Sequence, residues 1–352
     1  MSTGPTVMTV LGPVAANELG VTLMHEHLVS NAVAQWSPPE DPARLAEFVA
    51  EYEPAMHGRV QLDPFSYRSA MQQLSLDVAL TELRRFRAAG GGTVVDLGVP
   101  GFGRDHVALQ VLSRLSGVHI VMGCGEYVEH SHSPYVRHAP AETVRDVVLG
   151  EFHDGVGTTG IRAGVIGEIG TGNPATAEEL KVLTGAALAA METGAALNIH
   201  RSIQPDPLAG LAGLDHVLGL GLDPSRVVVS HCDERPEHAF ALEVARRGAW
   251  VELDTFGMEQ WAVSARRGDG FPRRSFDHDR IGMLLALLEA GHEERILLSH
   301  DIAMKPQFTA YGGWGLTHLL ENVRPRAIAA GVPADTWDRL LTDNPRRALT
   351  GR

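Results

Sequence analysis

The chain has 352 residues, 44% of them hydrophobic and 21% charged, and carries a formal net charge of −13. That length and apolar content suffice for one large α/β barrel or two ordinary domains with a sizeable core. The acidic balance disfavours nucleic acid and anionic membrane as partners, because both require a basic face, and points to a small-molecule substrate.

No apolar stretch is long enough to span a bilayer, and the first residues lack a basic and then apolar leader, so a cytoplasmic protein is expected. Cys124 and Cys232, the two cysteines, make no disulfide framework and fit a reducing compartment.

The pattern alternates strand, turn and helix from end to end. A hairpin is predicted over 6–20, "TVMTVLGPVAANELG". Eight β-rich runs then follow at 21–27, 93–98, 119–127, 163–170, 196–200, 226–233, 249–256 and 295–301. Helical periodicity lies between them at 76–92, 175–194 and 280–291, each run ending at glycine. Residues 31–75 are proline-rich and irregular and read as a long insertion after strand 1; 268–280 reads as a loop after strand 7. A Rossmann glycine fingerprint is absent after the first strand. The expectation is therefore an α/β fold, a (β/α)8 TIM barrel with an N-terminal hairpin, forming a single domain over 1–352.

Chemistry in such a barrel sits at the C-terminal ends of the strands. Those ends carry His25 and His27 on strand 1, Glu168 on strand 4, His200 on strand 5, His231 on strand 6 and Asp301 on strand 8. Alternation along a strand puts His25 and His27 on one face. A single histidine at a strand end is ordinarily a hydrogen-bonded structural residue. Six residues of metal-ligand type at five strand ends form a pattern that suits one or two divalent ions, Zn2+ first and Mn2+, Co2+ or Fe2+ as alternatives.

Through "LMHEHL", "GEIG", "NIH", "VSHCD" and "LLSHD", together with "GGGTVVDLGVPGFGRD", "YGGWG" and the terminal "DNP", the sequence resembles the phosphotriesterase family of the amidohydrolase superfamily. Within it, the chain looks most like the phosphotriesterase-related proteins, a group that includes a branch associated with N-acetyltaurine hydrolysis. The resemblance implies a binuclear metal centre. His25, His27 and Asp301 would hold the more buried ion, His200 and His231 the more exposed one, with a strand 4 carboxylate between them. Many members bridge the ions with a carbamylated lysine. Here the only lysines are Lys181 and Lys305, neither at the end of strand 4, so Glu168 is the expected bridge and Asp301 the expected proton carrier.

The implied activity is a hydrolase in which a hydroxide shared by the two ions attacks a carboxylic amide, ester or lactone. Phosphotriesterase and sugar-phosphate lactonase activities are alternatives, as is a non-catalytic metal-binding barrel. Tyr127, His132 and Arg201 are the candidate substrate contacts, with Arg273, Arg274 and Lys305 as a further candidate anion site. Asp233 and Asp254 read as residues that orient ligands or cap loops, and Glu26 and His300 as structural. Where quorum-sensing lactonases read "LDRYG", this chain reads "LDTFG", with Thr255 in place of the arginine. A homodimer is expected.

Overall fold

Strands rich in apolar residues pair in parallel and bury both faces. The computed structural model, which describes residues 4–201, 206, 208–259 and 274–351, contains eight such strands in one parallel sheet. They are β3 (Val21–Glu26), β6 (Gly91–Asp96), β7 (His119–Cys124), β8 (Val165–Thr171), β9 (Leu197–Arg201), β10 (Val227–Val229), β11 (Trp250–Leu253) and β12 (Ile296–Leu298), neighbours in the sheet in that sequential order. Before them β1 (Thr6–Thr9) and β2 (Gly12–Ala15) form the expected hairpin, and β4 (Ser30–Asn31) pairs antiparallel with β5 (Gln72–Gln73).

Alternation divides each strand between two cores. Val94, Ile120, Ile199, Val229 and Leu298 join the large core that also takes in helix residues such as Leu83, Leu109 and Leu183. Met24, Val95, Val121, Val228 and Leu297 form a separate cluster with Val7 and Trp250, the floor beneath the site. The helix Ala177–Thr193 illustrates how the connecting helices are delimited: Thr176 and Glu179 make a reciprocal capping box, and Gly194 ends it at φ +68°.

The first and last strands meet through residues just beyond the ladders. Asp301 N–H donates to the His25 carbonyl at 3.1 Å, and His27 N–H to the Ile302 carbonyl at 2.9 Å. The barrel therefore closes through the segments that carry candidate ligands.

Four of the predicted runs are longer than the observed strands: the third and seventh end at Cys124 and Leu253, and the sixth and eighth at Val229 and Leu298, so His231 and Asp301 stand in loops. Both adopt left-handed backbone, at φ +58° and +51°, which no strand accommodates. The insertion after strand 1 is pinned shut by the β4–β5 pair and contains the short helices Leu45–Val49 and His57–Leu62. Of the loop after strand 7, residues 268–273 lie outside the described residues.

Candidate metal centre

The "GEIG" stretch shows how sequence builds the centre. Gly167 sits at φ +124°, where a Cβ would lie 2.6 Å from the Asn198 carbonyl oxygen; one at Gly170 would lie 2.3 Å from the Tyr127 backbone. Only glycines let β8 approach β9 and the β7 loop this closely, and they hold Glu168 between them. The β8–β9 ladder shifts register between Ile166 and Ile169, and the β3–β6 ladder between Leu23 and Glu26. Such irregularities re-aim side chains, here at Glu168 and His25.

Six side chains converge at the C-terminal mouth of the barrel. Glu168 is central. Its Oε1 lies 2.6 Å from His200 Nδ1, 2.9 Å from His231 Nε2 and 3.6 Å from His25 Nε2, and its Oε2 lies 3.8 Å from His27 Nε2. Asp301 Oδ1 stands across from it, 3.2 Å from His27 Nε2 and 3.6 Å from His25 Nε2. These six donors fall into two triads, His25–His27–Asp301 and Glu168–His200–His231, each with its ligand atoms within 4.8 Å of one another, and His25, His231 and Asp254 form a third such group behind them.

The chemistry of this donor set fits metal ions. His25 Nε2 and both ring nitrogens of His27 are buried with no hydrogen-bond partner, an arrangement that is costly unless something binds them. His200 Nδ1 and His231 Nε2 face each other at 2.8 Å, a contact in which two imidazoles need a shared proton or a cation.

Behind the imidazoles lies a layer of buried carboxylates. Asp254 stands 3.0 Å from His25 Nδ1 and 3.1 Å from His231 Nδ1, and both its oxygens accept the His231 backbone N–H at 3.0 Å. Glu252 is 3.1 Å from His25 Nδ1 and accepts hydrogen bonds from Asn198 and Ser230. Carboxylates on Nδ1 fix the tautomer that leaves Nε2 free to ligate.

Burial pushes the Glu168 carboxyl up, but the adjacent His200 and His25 outweigh it and hold the group well below the usual carboxylate range. Burial likewise disfavours charge on His25 and His231. Glu168 and Asp254 beside the first, and Asp254 beside the second, overcome it and raise both well above the ordinary value in the metal-free protein.

A cavity of about 450 Å3 opens onto this cluster. Trp36 and Phe65 from the insertion wall it, with Phe102, Tyr127, Met258 and Met304. Tyr127 is buried. Its hydroxyl accepts a hydrogen bond from Gln35 Nε2 at 2.6 Å and lies 3.3 Å from His200 Nε2. Burial, with Glu168 and Asp301 nearby, raises its pKa well above the ordinary value, so the hydroxyl keeps its proton.

The other sequence candidates divide. His132 is corrected: its ring nitrogens lie 2.8 Å from Glu178 and 2.9 Å from the Tyr127 carbonyl, bracing the β7 loop, and His130 lines the cavity instead. Arg201 borders the cavity, but its Nη2 donates to the His231 carbonyl at 2.8 Å and its guanidinium stacks on Phe240, supporting the left-handed turn at His231. Arg274 also borders the cavity, paired with Glu234 at 2.9 Å; Arg273 lies outside the described residues. Lys305 is not among the lining residues and bonds to Glu51 and Ser69, while Lys181 donates to the Val136 carbonyl. Asp233 accepts the backbone N–H groups of Asp254 and Thr255, and burial and Asp254 push it up to about 7.

Sequence reasoning missed Glu252 as a partner of His25 and undervalued Asp254. The available signal was the spacing in "VELDTF": two acids two apart in an otherwise apolar strand, on one face, as His25 and His27 are.

An eight-stranded parallel barrel with two ligand triads at the carboxyl ends of its strands defines the class, a metal-dependent hydrolase barrel. Comparison with known proteins gives the family. The phosphotriesterase family model matches residues 5–349, and the chain belongs to that family. It is 36% identical to N-acetyltaurine hydrolase of Danio rerio, over 98% of this chain and 97% of the relative. Among solved structures it is similar to a resiniferatoxin-binding protein of Rhodobacter sphaeroides, with a TM-score of 0.93 and 34% identity over 99% of this chain and 95% of the other. It is also similar to a mutant phosphotriesterase-like lactonase of Deinococcus radiodurans, with a TM-score of 0.73 and 27% identity over 98% of this chain and 100% of the other.

Proposed function

We propose that this protein is a two-metal hydrolase of N-acyl amides, with N-acetyltaurine and related amides of small anionic amines as first substrates and lactones as second. In this reading His25, His27 and Asp301 hold one ion, His200 and His231 the other, and Glu168 lies between them. The carrying observation is the position of Glu168, within 3.8 Å of a nitrogen of each of the four imidazoles, where no lysine reaches. Zn2+ is the preferred ion for four imidazoles and two carboxylates, with Mn2+, Co2+ and Fe2+ as alternatives. The whole chain acts as one domain, in the cytoplasm and as a homodimer.

When bound, a pair of divalent ions supplies a water nucleophile active at neutral pH and polarises the scissile carbonyl. The chain's own groups do the rest. Asp301 takes the proton released by the attacking water and delivers it to the departing nitrogen, which leaves as a neutral amine only if it is protonated. Gln35 donates to the Tyr127 oxygen, which leaves the hydroxyl proton of Tyr127 to donate to the substrate oxygen as negative charge develops on it. Trp36, Phe65 and Phe102 exclude water and receive the apolar part of the substrate.

The test is a screen of Zn2+- or Mn2+-loaded protein against N-acetyltaurine, other N-acyl amino acids, γ- and δ-lactones, phosphorylated sugar lactones and paraoxon, with His200→Ala as control. Amide turnover that disappears in the control supports the proposal. Preference for paraoxon or a phosphorylated lactone overturns the substrate assignment. Two bound ions with no turnover, but binding of resiniferatoxin, favour a binding barrel; Trp36, Phe65 and Phe102 in the cavity wall and the resiniferatoxin-binding relative support that second reading.

A further inference from the structure

Glu26 stands between His25 and His27 yet touches neither triad. It is fully buried, and among the described residues no lysine or arginine forms an ion pair with it. Four donors meet its carboxylate instead. Oε1 accepts from Ser299 Oγ at 2.8 Å, from the His300 backbone N–H at 3.1 Å and from His300 Nδ1 at 2.7 Å; Oε2 accepts from the Ile302 backbone N–H at 2.9 Å. Three donors crowd Oε1 and one meets Oε2, so both oxygens of the carboxylate are hydrogen-bonded.

Every donor comes from the segment around Asp301. The N–H groups of residues 300 and 302, on either side of it, both turn toward Glu26. A left-handed residue between two such groups makes a concave seat for an anion, and Asp301 is that residue, at φ +51°. With its neighbours' amides held on one side, the Asp301 side chain is directed to the other, into the cavity. Ser299 extends the connection, because its Oγ also accepts the His25 backbone N–H at 2.9 Å. His300 is fixed in turn: its Nε2 accepts the Leu319 N–H at 3.1 Å, so Nδ1 carries the proton given to Glu26. An apolar residue would fill the same volume without the cost of desolvating a carboxylate. What it could not do is hold a left-handed aspartate in place.

We propose that Glu26 is a positioning residue, a carboxylate clamp that sets Asp301, and through Ser299 His25, in ligating geometry. The proposal rests on the reading of Asp301 and His25 as ion ligands.

Zn2+ affinity, read by chelator competition, tests it directly, with circular dichroism and Tm of the same samples. In Glu26→Gln the amide NH2 must oppose one of the four donors. We expect a folded protein whose His25–His27–Asp301 site binds Zn2+ roughly 10- to 100-fold more weakly, with kcat falling and KM holding. A second pair of variants covers the case in which Glu26→Gln does not fold. His300→Asn keeps a donor near the Nδ1 position and loses ring volume; His300→Phe keeps the volume and loses the donor. The clamp requires the asparagine variant to bind Zn2+ at least about tenfold more tightly than the phenylalanine variant. The reverse order, or unchanged Zn2+ affinity in folded Glu26→Gln, assigns these residues to packing and overturns the proposal. Absence of Zn2+ binding in the wild-type protein instead removes the ligand reading itself, and the clamp with it.

Discussion

Asp254 is the residue whose replacement should discriminate most sharply between the two triads. It is fully buried and serves His231 and His25 at once, at 3.1 and 3.0 Å. The two imidazoles do not depend on it equally. His25 Nδ1 has a second carboxylate, Glu252, at 3.1 Å, whereas Asp254 is the only carboxylate within hydrogen-bond distance of His231 Nδ1 among the described residues. In Asp254→Asn the amide NH2 can turn toward His231 Nδ1, which then becomes the acceptor and moves the ring proton to Nε2, the atom facing Glu168. A hydrogen bond to a charged group contributes about 1.5–3 kcal/mol, so losing it should weaken the His200–His231 ion by roughly 10- to 100-fold. The His25–His27–Asp301 ion should weaken far less. Zn2+ titration against a chelator, analysed for two sites, measures both constants, and circular dichroism verifies the fold. Equal weakening of both sites, or no weakening of either, refutes the reasoning.

Asp301→Asn should still load ions at saturating Zn2+, since an amide oxygen remains, but lose about 10²- to 10⁴-fold in kcat for want of a proton carrier; near-wild-type kcat refutes that role. Tyr127→Phe should lower kcat at least about tenfold with the metal content unchanged, and a change in metal content alone would reassign the tyrosine. Dialysis against a chelator should abolish activity, and Zn2+ or Mn2+ alone should restore it; a requirement for bicarbonate would contradict the glutamate bridge. In the metal-free protein His25 and His231 are raised above the ordinary value of 6.5. Their charged pairs therefore stabilise the fold fully below that value, and the contribution fades as pH rises through the raised values. Zn2+ must displace those protons, so its affinity should increase as pH rises from the ordinary value through the raised ones; a flat profile in chelator competition refutes the assignment.

The barrel and the six converging side chains were legible because two periodicities carry them: apolar runs separated by helices, and metal-ligand types at the C-terminal ends of those runs. Other features were not, for identifiable reasons. His132 was misplaced because a histidine in "EHSHS" could serve either the cavity or the loop, and only the turn at 129–131 decides that His130 faces inward. Residues 31–75 lack periodicity, so nothing local foretold that Gln35, Trp36 and Phe65 would wall the cavity. Asp254 and Glu252 act on histidines from other strands, and that coupling exists only once the sheet has curled.

The seam between β12 and β3 gives the centre a property that is temporal as well as geometric. Its hydrogen bonds join residues 273 or more positions apart, as between Glu26 and Ser299, so His25 and His27 wait for nearly the entire chain before Asp301 arrives. No shortened or half-folded barrel can assemble the first triad. Ion loading therefore reports that the barrel has closed, and a bound ion would in turn fasten the last strand to the first.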